Sequence, residues 1–378
     1  MYTQLGKALI GFSFLLILHG CSDEESTAEY LNLSALPEIQ PEPQISITDT
    51  DDFFFGGISS VTTDSEGNLY VSDREKVQIF VFNTDGEFKG TFGGKGEGPG
   101  EFERVDKIST RLNDDTLFVH DGYYDNIHVF VPGEELPEFL HEFNGRVLDK
   151  PNVREIYPIG NHQILTTFGL FGGADAGEGK YSALLNSNGD VLEHEFRFVH
   201  RDDMIIREDG NVTTFIQKPF GSGALLSVGP DDRIYYAWSN NPIIEISKKT
   251  GAMADSIEVV LPNRETTPEL LEDYLDDFDF RDEVEGYIRE EFPETKPVFR
   301  DLVVDDQSYI WLKVYPDSST DPNWLILDEY GEPKATTTFD DNFSIEEIRN
   351  NRIIGYYAPD EIEDGLSYEV RIYNYLFE

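Results

Sequence analysis

One sequence unit recurs in this chain and limits the folds that it can adopt. Each copy has an apolar strand, a turn, a β-rich strand that ends in Asp, a loop and a third alternating strand. The first copy covers residues 58–87 with its Asp at position 73, and the second covers residues 105–130 with its Asp at position 121. The glycine-rich segment FGGKGEGPGEF, residues 92–102, joins them. Since a period of roughly 40–50 residues built from short strands is typical of a propeller blade, the pattern predicts a β-propeller.

About six such units follow one another along the 378 residues. The last unit lacks an outer strand, whereas residues 44–48 alternate like a strand and have no partner nearby. Closing the ring with this segment would remove exposed sheet edges. The prediction is therefore an all-β, six-bladed β-propeller over residues 44–378, in which residues 44–48 complete the last blade. The predicted units cover residues 54–93, 98–143, 146–198, 224–261, 299–339 and 345–377.

Residues 264–296 depart from the repeat and are predicted to form a small helical insert between the fourth and fifth units. Apolar residues recur there at helical spacing, Pro268 suits a first helical turn, and Pro293 ends the second stretch. The insert leads into an inner strand, so we expect it on the face that carries the binding loops, as a partial lid over the channel mouth. Its acids would then disfavour anionic ligands. The alternative is a decoration packed on the outer rim.

The N-terminal residues predict a lipoprotein. Residues 1–20 contain one basic residue and an apolar run too short to span a bilayer, as in a signal peptide. The run Leu18-His-Gly-Cys21 resembles the bacterial lipobox, and Cys21, the only cysteine of the chain, would carry the lipid. Residues 21–43 are then predicted to be an acidic flexible tether. Together these features predict a lipid-anchored protein at the outer membrane or cell surface.

The charge of the chain excludes one class of partner. With 29 Lys and Arg against 74 Asp and Glu, the formal net charge is −45. Binding to nucleic acid requires a basic face that can contact phosphates, so we expect no nucleic-acid partner. The acids are expected to form a solvated surface.

The repeat also resembles a known family. The GxGPGEF pattern, followed by an inner strand and by xGNLYVxD, resembles the NHL-repeat six-bladed propellers. The lipobox, the acidic tether and the Tyr309-Ile-Trp-Leu strand narrow this resemblance to six-bladed propeller lipoproteins of Bacteroidetes. The resemblance covers residues 44–378 and implies the fold, but it implies little about chemistry.

Candidate binding residues follow from the loops that surround the channel of a propeller. The loops into the inner strands and those between second and third strands share one face, and here they mix aromatic, Asp and Asn side chains. Such a mixture suits sugar or peptide recognition, although solvated turns favour the same residues. Aligning the inner strands gives one phased position, occupied by Ser59, Asp106, Arg154, Ala224, Arg300 and Glu346. Its arginines could bind a carboxylate or phosphate, or pair with the neighbouring acids. The predicted ligand-binding residues are Arg74, Asp106, Tyr123, Tyr124, Asp125, Arg154, Trp238, Asn240 and Arg300.

Neither a metal site nor a nucleophile stands out. The seven His residues show no HxxxH or HxH spacing, no EF-hand-like spacing occurs among the acids, and GxSxG is absent. We therefore predict no catalytic residue, no metal ligand and no cofactor, with Ca²⁺ left open. The predicted function is a non-catalytic binding module for a glycan, a peptide or an envelope protein. The alternative is a metal-assisted hydrolase or lyase of the lactonase-like propeller type.

Overall fold

Six four-stranded antiparallel sheets form the body of the protein, which is a six-bladed β-propeller as predicted. The computed structural model describes residues 30–146, 153–160, 163–168, 180–198, 202–209, 212–230, 232–249, 252–276, 280–316, 318, 321–359 and 367–377. The predicted signal peptide, Cys21 and the first part of the predicted tether therefore lie outside the described residues.

The strands follow one another from the channel to the rim in each blade, and a seventh, two-stranded sheet lies between blades three and four. Blade one contains β2 (Ile58–Thr63), β3 (Leu69–Asp73), β4 (Gln78–Phe82) and β5 (Phe88–Gly93), and blade two contains β6 (Val105–Arg111), β7 (Thr116–Asp121), β8 (Asn126–Val131) and β9 (Glu138–Asn144). Blade three contains β10 (Val153–Ile159), β11 (Gln163–Phe168), β12 (Lys180–Asn186) and β13 (Val191–Phe198), and the two-stranded sheet contains β14 (Asp202–Asp209) and β15 (Val212–Ser222). Blade four contains β16 (Ala224–Val228), β17 (Arg233–Trp238), β18 (Ile243–Lys248) and β19 (Met253–Glu258), and blade five contains β20 (Phe299–Val304), β21 (Ile310–Val314), β22 (Trp324–Leu327) and β23 (Pro333–Thr337). Blade six contains β24 (Phe343–Arg349), β25 (Arg352–Tyr357) and β26 (Glu369–Asn374), with β1 (Glu42–Ile47) as its outer strand.

The early strand closes the ring, which confirms the sequence prediction. β1 pairs antiparallel with β26, and Ile47 at its end is 4 % exposed in the core between blades six and one. The packed segment begins earlier than predicted. Leu31 donates its backbone N–H to Val260, and Leu33 is buried among residues of blades four and five. The predicted flexible tether is therefore wrong from residue 30 onward, because these apolar residues have a core to enter.

Hydrophobic side chains pack between neighbouring blades rather than in one central core. Six of the seven buried clusters in the described residues lie at blade-to-blade contacts, one at each contact. The second strands β3, β7 and β21 are buried along their whole length because each blade packs one face against each neighbour. The hydrophobic core therefore lies between the blades and not in the channel.

A recurrent turn joins the third and fourth strands and lies against the preceding blade. In blade one, Asn83 Oδ1 accepts the N–H groups of Asp85 and Glu87, and Gly86 has a φ of +82° that disfavours other residues. A Cβ at Gly86 would lie 2.7 Å from Ile45 on β1, so only glycine permits this approach to the preceding blade. The turns Asn188-Gly189 and Tyr330-Gly331 of blades three and five also place a positive φ at the glycine, and a Cβ there would clash with Phe143 or Ile257 of the preceding blade.

The insert contains two helices, α1 (Pro268–Asp276) and α2 (Asp282–Glu291), as the helical spacing predicts. The sequence analysis missed the β14–β15 hairpin, which precedes blade four. Helix and hairpin form a small module with its own core, in which Ile205 and Ile216 of the hairpin contact Leu275 and Ile288 of the helices. The apolar helix faces predicted to cover the channel mouth are thus covered by the hairpin. The lid prediction is wrong on that point.

Candidate binding face

The two faces of the propeller are built differently. We call the face formed by the connections from each outer strand to the next inner strand, together with those from second to third strands, the entry face. The opposite turn face carries short connections, such as Thr63 to Leu69 and Phe82 to Phe88. Both pieces of additional secondary structure between the blades, the β14–β15 hairpin and the α1–α2 insert, lie in entry-face connections. The predicted binding residues all lie in loops or strand ends of this face.

The phased position of the inner strands corresponds to a β-bulge. Ser59, Asp106, Arg154, Arg300 and Glu346 each fall where the ladder between first and second strands shifts register. A bulge re-aims the side chain of its extra residue, so five blades place one polar side chain outside the regular alternation. Blade four has no such shift, and its residue at this position pairs regularly with Trp238.

The predicted charges at the bulges pair locally. Asp106 accepts a hydrogen bond from Arg104 Nη2 at 2.7 Å, which a sequence alignment of the inner strands could not show. Arg300 Nη1 donates to Asp341 at 2.7 Å. These pairs agree with the alternative prediction that the phased position of the inner strands holds structural ion pairs. They do not support a single anion site formed by arginines of different blades.

Three of the predicted loop residues have different roles. Asp125 is buried and accepts hydrogen bonds from Arg146 Nε at 2.8 Å and from the backbone N–H of Val153 at 3.1 Å, so it joins blades two and three. Tyr123 and Tyr124 stack edge to face with ring centroids 4.8 Å apart and are 61 % and 38 % exposed. The tyrosines are therefore available to a ligand, whereas Asp125 is committed to the scaffold.

The Asp that ends each second strand of blades one and two is also structural. Asp73 accepts the N–H groups of Glu75 and Lys76 in its own loop and that of Gly56 in the adjacent connection. Asp121 does the same for Tyr123 and for the connection at Glu103. The repeat motif thus stiffens the entry-face loops, since each carboxylate ties two of them together.

The remaining predicted residues lie apart from one another. Arg74 is exposed in blade one, and Asn240 is exposed in blade four, where its Oδ1 accepts a hydrogen bond from Asn263 at the start of the insert at 2.6 Å. Trp238 is half-buried at the end of β17. The insert therefore meets the propeller beside two of the predicted residues.

The middle of the channel contains a charged cluster that the sequence analysis did not find. Lys107 Nζ lies 3.0 Å from Glu346 and 3.8 Å from Glu155, so one lysine joins blades two, three and six. Burial would lower the pKa of Lys107, but the two carboxylates raise it above its usual value. Burial raises the pKa of Asp301 nearby, and Glu346 raises it further. These groups line a cavity of 270 Å³ in which acids outnumber the lysine.

A cationic and aromatic cluster lies on the entry face where blade five meets the insert. Arg264 Nε donates to the Tyr315 carbonyl oxygen at 2.8 Å, and Lys296 Nζ and Arg300 Cζ lie 5.1 and 5.0 Å from the Tyr315 ring centroid. Lys296 Nζ also lies 5.1 Å from the ring centroid of Phe220 on β15. We call this set the Tyr315 cluster, and its members are Phe220, Arg264, Phe292, Lys296, Arg300, Lys313 and Tyr315.

Of the Tyr315 cluster, the sequence analysis found only Arg300. The other members come from the hairpin, both ends of the insert and β21, and no spacing along the chain joins these segments. The negative potential expected at the insert stays a prediction, although the side of the insert that contacts blade five carries the basic residues Arg264 and Lys296. A cue was present in the composition: in so acidic a chain, a basic residue at each end of an acidic helical insert stands out.

A metal site was not predicted, and the described residues contain no group of three or more His, Cys, Asp or Glu side chains arranged to hold an ion. In the same residues, neither helix has the length and apolar character needed to cross a bilayer.

Comparison with known proteins gives the fold class and a partial family match. Residues 43–130 match a family model described as a 6-bladed beta-propeller, DUF5128. The fold is similar to that of a Bacteroides fragilis protein described as exported, with 11% identity, a TM-score of 0.54, and coverage of 92% of this chain and 97% of that chain. It is also similar to a DUF4221 family member from Bacteroides vulgatus, with 10% identity, a TM-score of 0.57, and coverage of 90% and 98%. At such identities the similarity shows the fold alone. No curated protein sequence matches the chain.

The predicted resemblance to six-bladed propellers of this Bacteroidetes type is confirmed by the family match and by these structures.

Proposed function

We propose that this protein is an exported, lipid-anchored binding module that holds an envelope partner on its entry face and performs no catalysis. The observation that carries the proposal is the asymmetry of the two faces. Both insertions between blades lie on the entry face, while the turn face is reduced to short connections. Loops positioned by a rigid scaffold are where binding residues concentrate.

The packing of the insertions supports the same proposal. Long connections in a compact domain are uncommon unless they are functional, and these two fold together instead of lying loose on the surface. Arg207 on β14 pairs with Glu291 and Glu290 on α2, at 2.7 and 3.1 Å, in addition to the apolar core that they share. A pre-ordered module loses little conformational entropy when a partner binds.

The path of the chain suggests what kind of partner can be reached. Leu31 is hydrogen-bonded to Val260, which follows the outer strand of blade four on its way to the insert, so the first described residues lie on the entry-face side. Residues 22–30 span at most about 35 Å even when fully extended. A lipid on Cys21 would therefore keep the entry face near the membrane, which favours an envelope component over a distant soluble protein.

The lipid anchor can be tested by substitution. Cys21→Ser removes the acceptor of the acyl chains, which supply the membrane affinity of a lipoprotein. We expect the variant to leave the membrane fraction and to appear in the soluble fraction, measured by immunoblotting after fractionation of host cells. Ser22→Ala is the matched control and should remain with the membranes. Equal fractionation of the two variants would contradict the anchor.

The binding face can be tested with exposed residues on each of the two faces. Tyr123→Ala and Asn240→Ala change exposed side chains on the entry face, and Tyr330→Ala changes an exposed side chain on the turn face. We expect the first two to weaken retention of the purified protein on immobilised host-envelope fractions, each by about 1–2 kcal/mol, the range of an interface residue of moderate importance. Tyr330→Ala should bind like the wild type. Weaker retention of Tyr330→Ala alone would place the partner on the turn face and would contradict the proposal.

A further inference from the structure

The positive charge of the Tyr315 cluster is incompletely neutralised. Arg300 and Lys313 share Asp341, at 2.7 and 3.4 Å. Lys296 is half-buried between the rings of Phe220 and Tyr315, and in the described part of the chain it has no carboxylate oxygen within 4.0 Å. Burial lowers the pKa of Lys296, and repulsion by Arg264 and Arg300 lowers it further. An ammonium group that is crowded by other cations gains free energy when an anion approaches it.

The surroundings of Lys296 restrict what that anion can be. Phe220 contacts Phe292 and Tyr315 edge to face, with centroids 6.0 and 5.9 Å apart, so aromatic rings wall the ammonium group. A ligand that reaches Lys296 Nζ would meet aromatic rings beside the ammonium group. The ring of an acidic sugar combines these two needs, because it carries apolar C–H groups beside a carboxylate. An acidic peptide offers the carboxylate without that rigid apolar frame.

We propose that the Tyr315 cluster binds the carboxylate of an acidic saccharide, with Lys296 as the group that pairs with it. The inference rests on the proposed function, since it names the ligand of the entry face. It adds that this ligand must carry a negative charge. The strongly acidic surface of the rest of the protein would repel such a ligand elsewhere, so this one cationic position would also set its orientation.

The experiment uses oligogalacturonate and oligoglucuronate as probes, with neutral galacto-oligosaccharide and polyglutamate as comparisons, and measures Kd by calorimetry on the purified chain from residue 30. We expect the acidic saccharides to bind and the neutral one not to bind. Lys296→Met keeps the apolar stem and should weaken binding at least roughly thirtyfold, the lower end of the loss when one partner of a buried charge pair is removed. Lys334→Met, which changes a surface lysine paired with Asp328, should have no effect.

The pH dependence supplies a second readout. Lys296 must be protonated to pair with a carboxylate, and its pKa lies below the usual value for lysine. The affinity of the wild type should therefore be constant at neutral pH and fall as the pH rises through that lowered pKa, before ordinary lysines titrate. Lys296→Met should lack this fall. If Lys296→Met does not fold, as judged by its thermal melt, Lys296→Gln replaces it.

Three results would overturn the inference. Equal binding of the neutral oligosaccharide would show that charge is not recognised, and tight binding of polyglutamate would show that the anion is a peptide. Failure of both uronate probes to bind would remove the cluster as a saccharide site. The proposed function would survive any of these results if Tyr123→Ala and Asn240→Ala still weakened retention on envelope fractions, so the two claims fail separately.

Discussion

A chain that begins at residue 49 will be less stable than one that begins at residue 30 by at least about 5 kcal/mol, with a melting temperature at least about 10 °C lower. The truncation removes β1, which pairs with β26 over five residues and buries Ile47 between blades six and one, and it also removes Leu33 from the core between blades four and five. Burying one such side chain stabilises by about 2–3 kcal/mol, and each lost backbone hydrogen bond costs about 1 kcal/mol. It also leaves β26 as an exposed edge, so we expect aggregation. Differential scanning calorimetry and light scattering measure both effects.

The controls for this truncation separate β1 from the segment before it. Deletion of residues 22–29 should leave the melting temperature unchanged. Leu33→Ala in the longer chain should cost about 2–3 kcal/mol, because Leu33 enters the core between blades four and five but pairs with no strand. Equal melting temperatures for the chains that begin at residues 30 and 49 would contradict closure by β1.

Arg349→Met will lower the free energy of unfolding by about 3–5 kcal/mol, the typical cost of removing one partner of a buried ion pair. Arg349 is 8 % exposed, its Nε lies 3.1 Å from Glu347 Oε1, and its Nη2 donates to Thr63 and to the Asp64 carbonyl oxygen. Glu347 also accepts hydrogen bonds from Thr63. This pair joins blade six to blade one, so its loss weakens the same seam that β1 closes. Chemical denaturation measures the change.

The effect of Arg349→Met depends on pH. Burial raises the pKa of Glu347, and Arg349 opposes that rise, so the pKa of Glu347 rises further in the variant. The folded variant then binds a proton more tightly than the unfolded chain does, and its deficit is largest above the raised pKa. Acidification toward that pKa should therefore restore part of the lost stability, as should the added substitution Glu347→Gln at neutral pH.

The matched control is Arg371→Met, which breaks the more exposed pair with Glu369 in the same blade. Such pairs contribute about 0–1 kcal/mol. A loss in Arg349→Met as small as that in Arg371→Met would mean that the pair does not hold the seam.

The propeller fold could be predicted from the repeat because the sequence patterns that define each strand and turn are local. Short strand-forming runs and the turn from Asn83 to Gly86 each depend on residues within a few positions of one another. The closing strand could be predicted for a different reason. Residues 44–48 have a strand pattern but no neighbouring strand in the sequence, and the sixth unit lacks an outer strand.

The candidate site was harder to predict because its members come from distant segments. Asp125 lies in a loop, where Asp is common and is usually exposed. Its carboxylate is nevertheless buried between blades two and three, because it accepts hydrogen bonds from Arg146 and Val153 in the connection between them. The β14–β15 hairpin lies between the third and fourth predicted units. Those units already supplied complete blades, so the repeat gave no reason to expect further strands between them. Without the hairpin, the apolar faces of α1 and α2 had no visible partner other than the channel mouth.

Site-specific photo-crosslinking in the native host tests the central claim, that the entry face holds the partner. A benzophenone side chain would replace Asn240 or Tyr123 on the entry face and, as the matched position, Tyr330 on the turn face. All three positions are exposed, so each label can react with whatever lies against it. The account predicts an envelope component cross-linked from position 240 or 123 and none from position 330. Cross-linking from position 330 alone would contradict it.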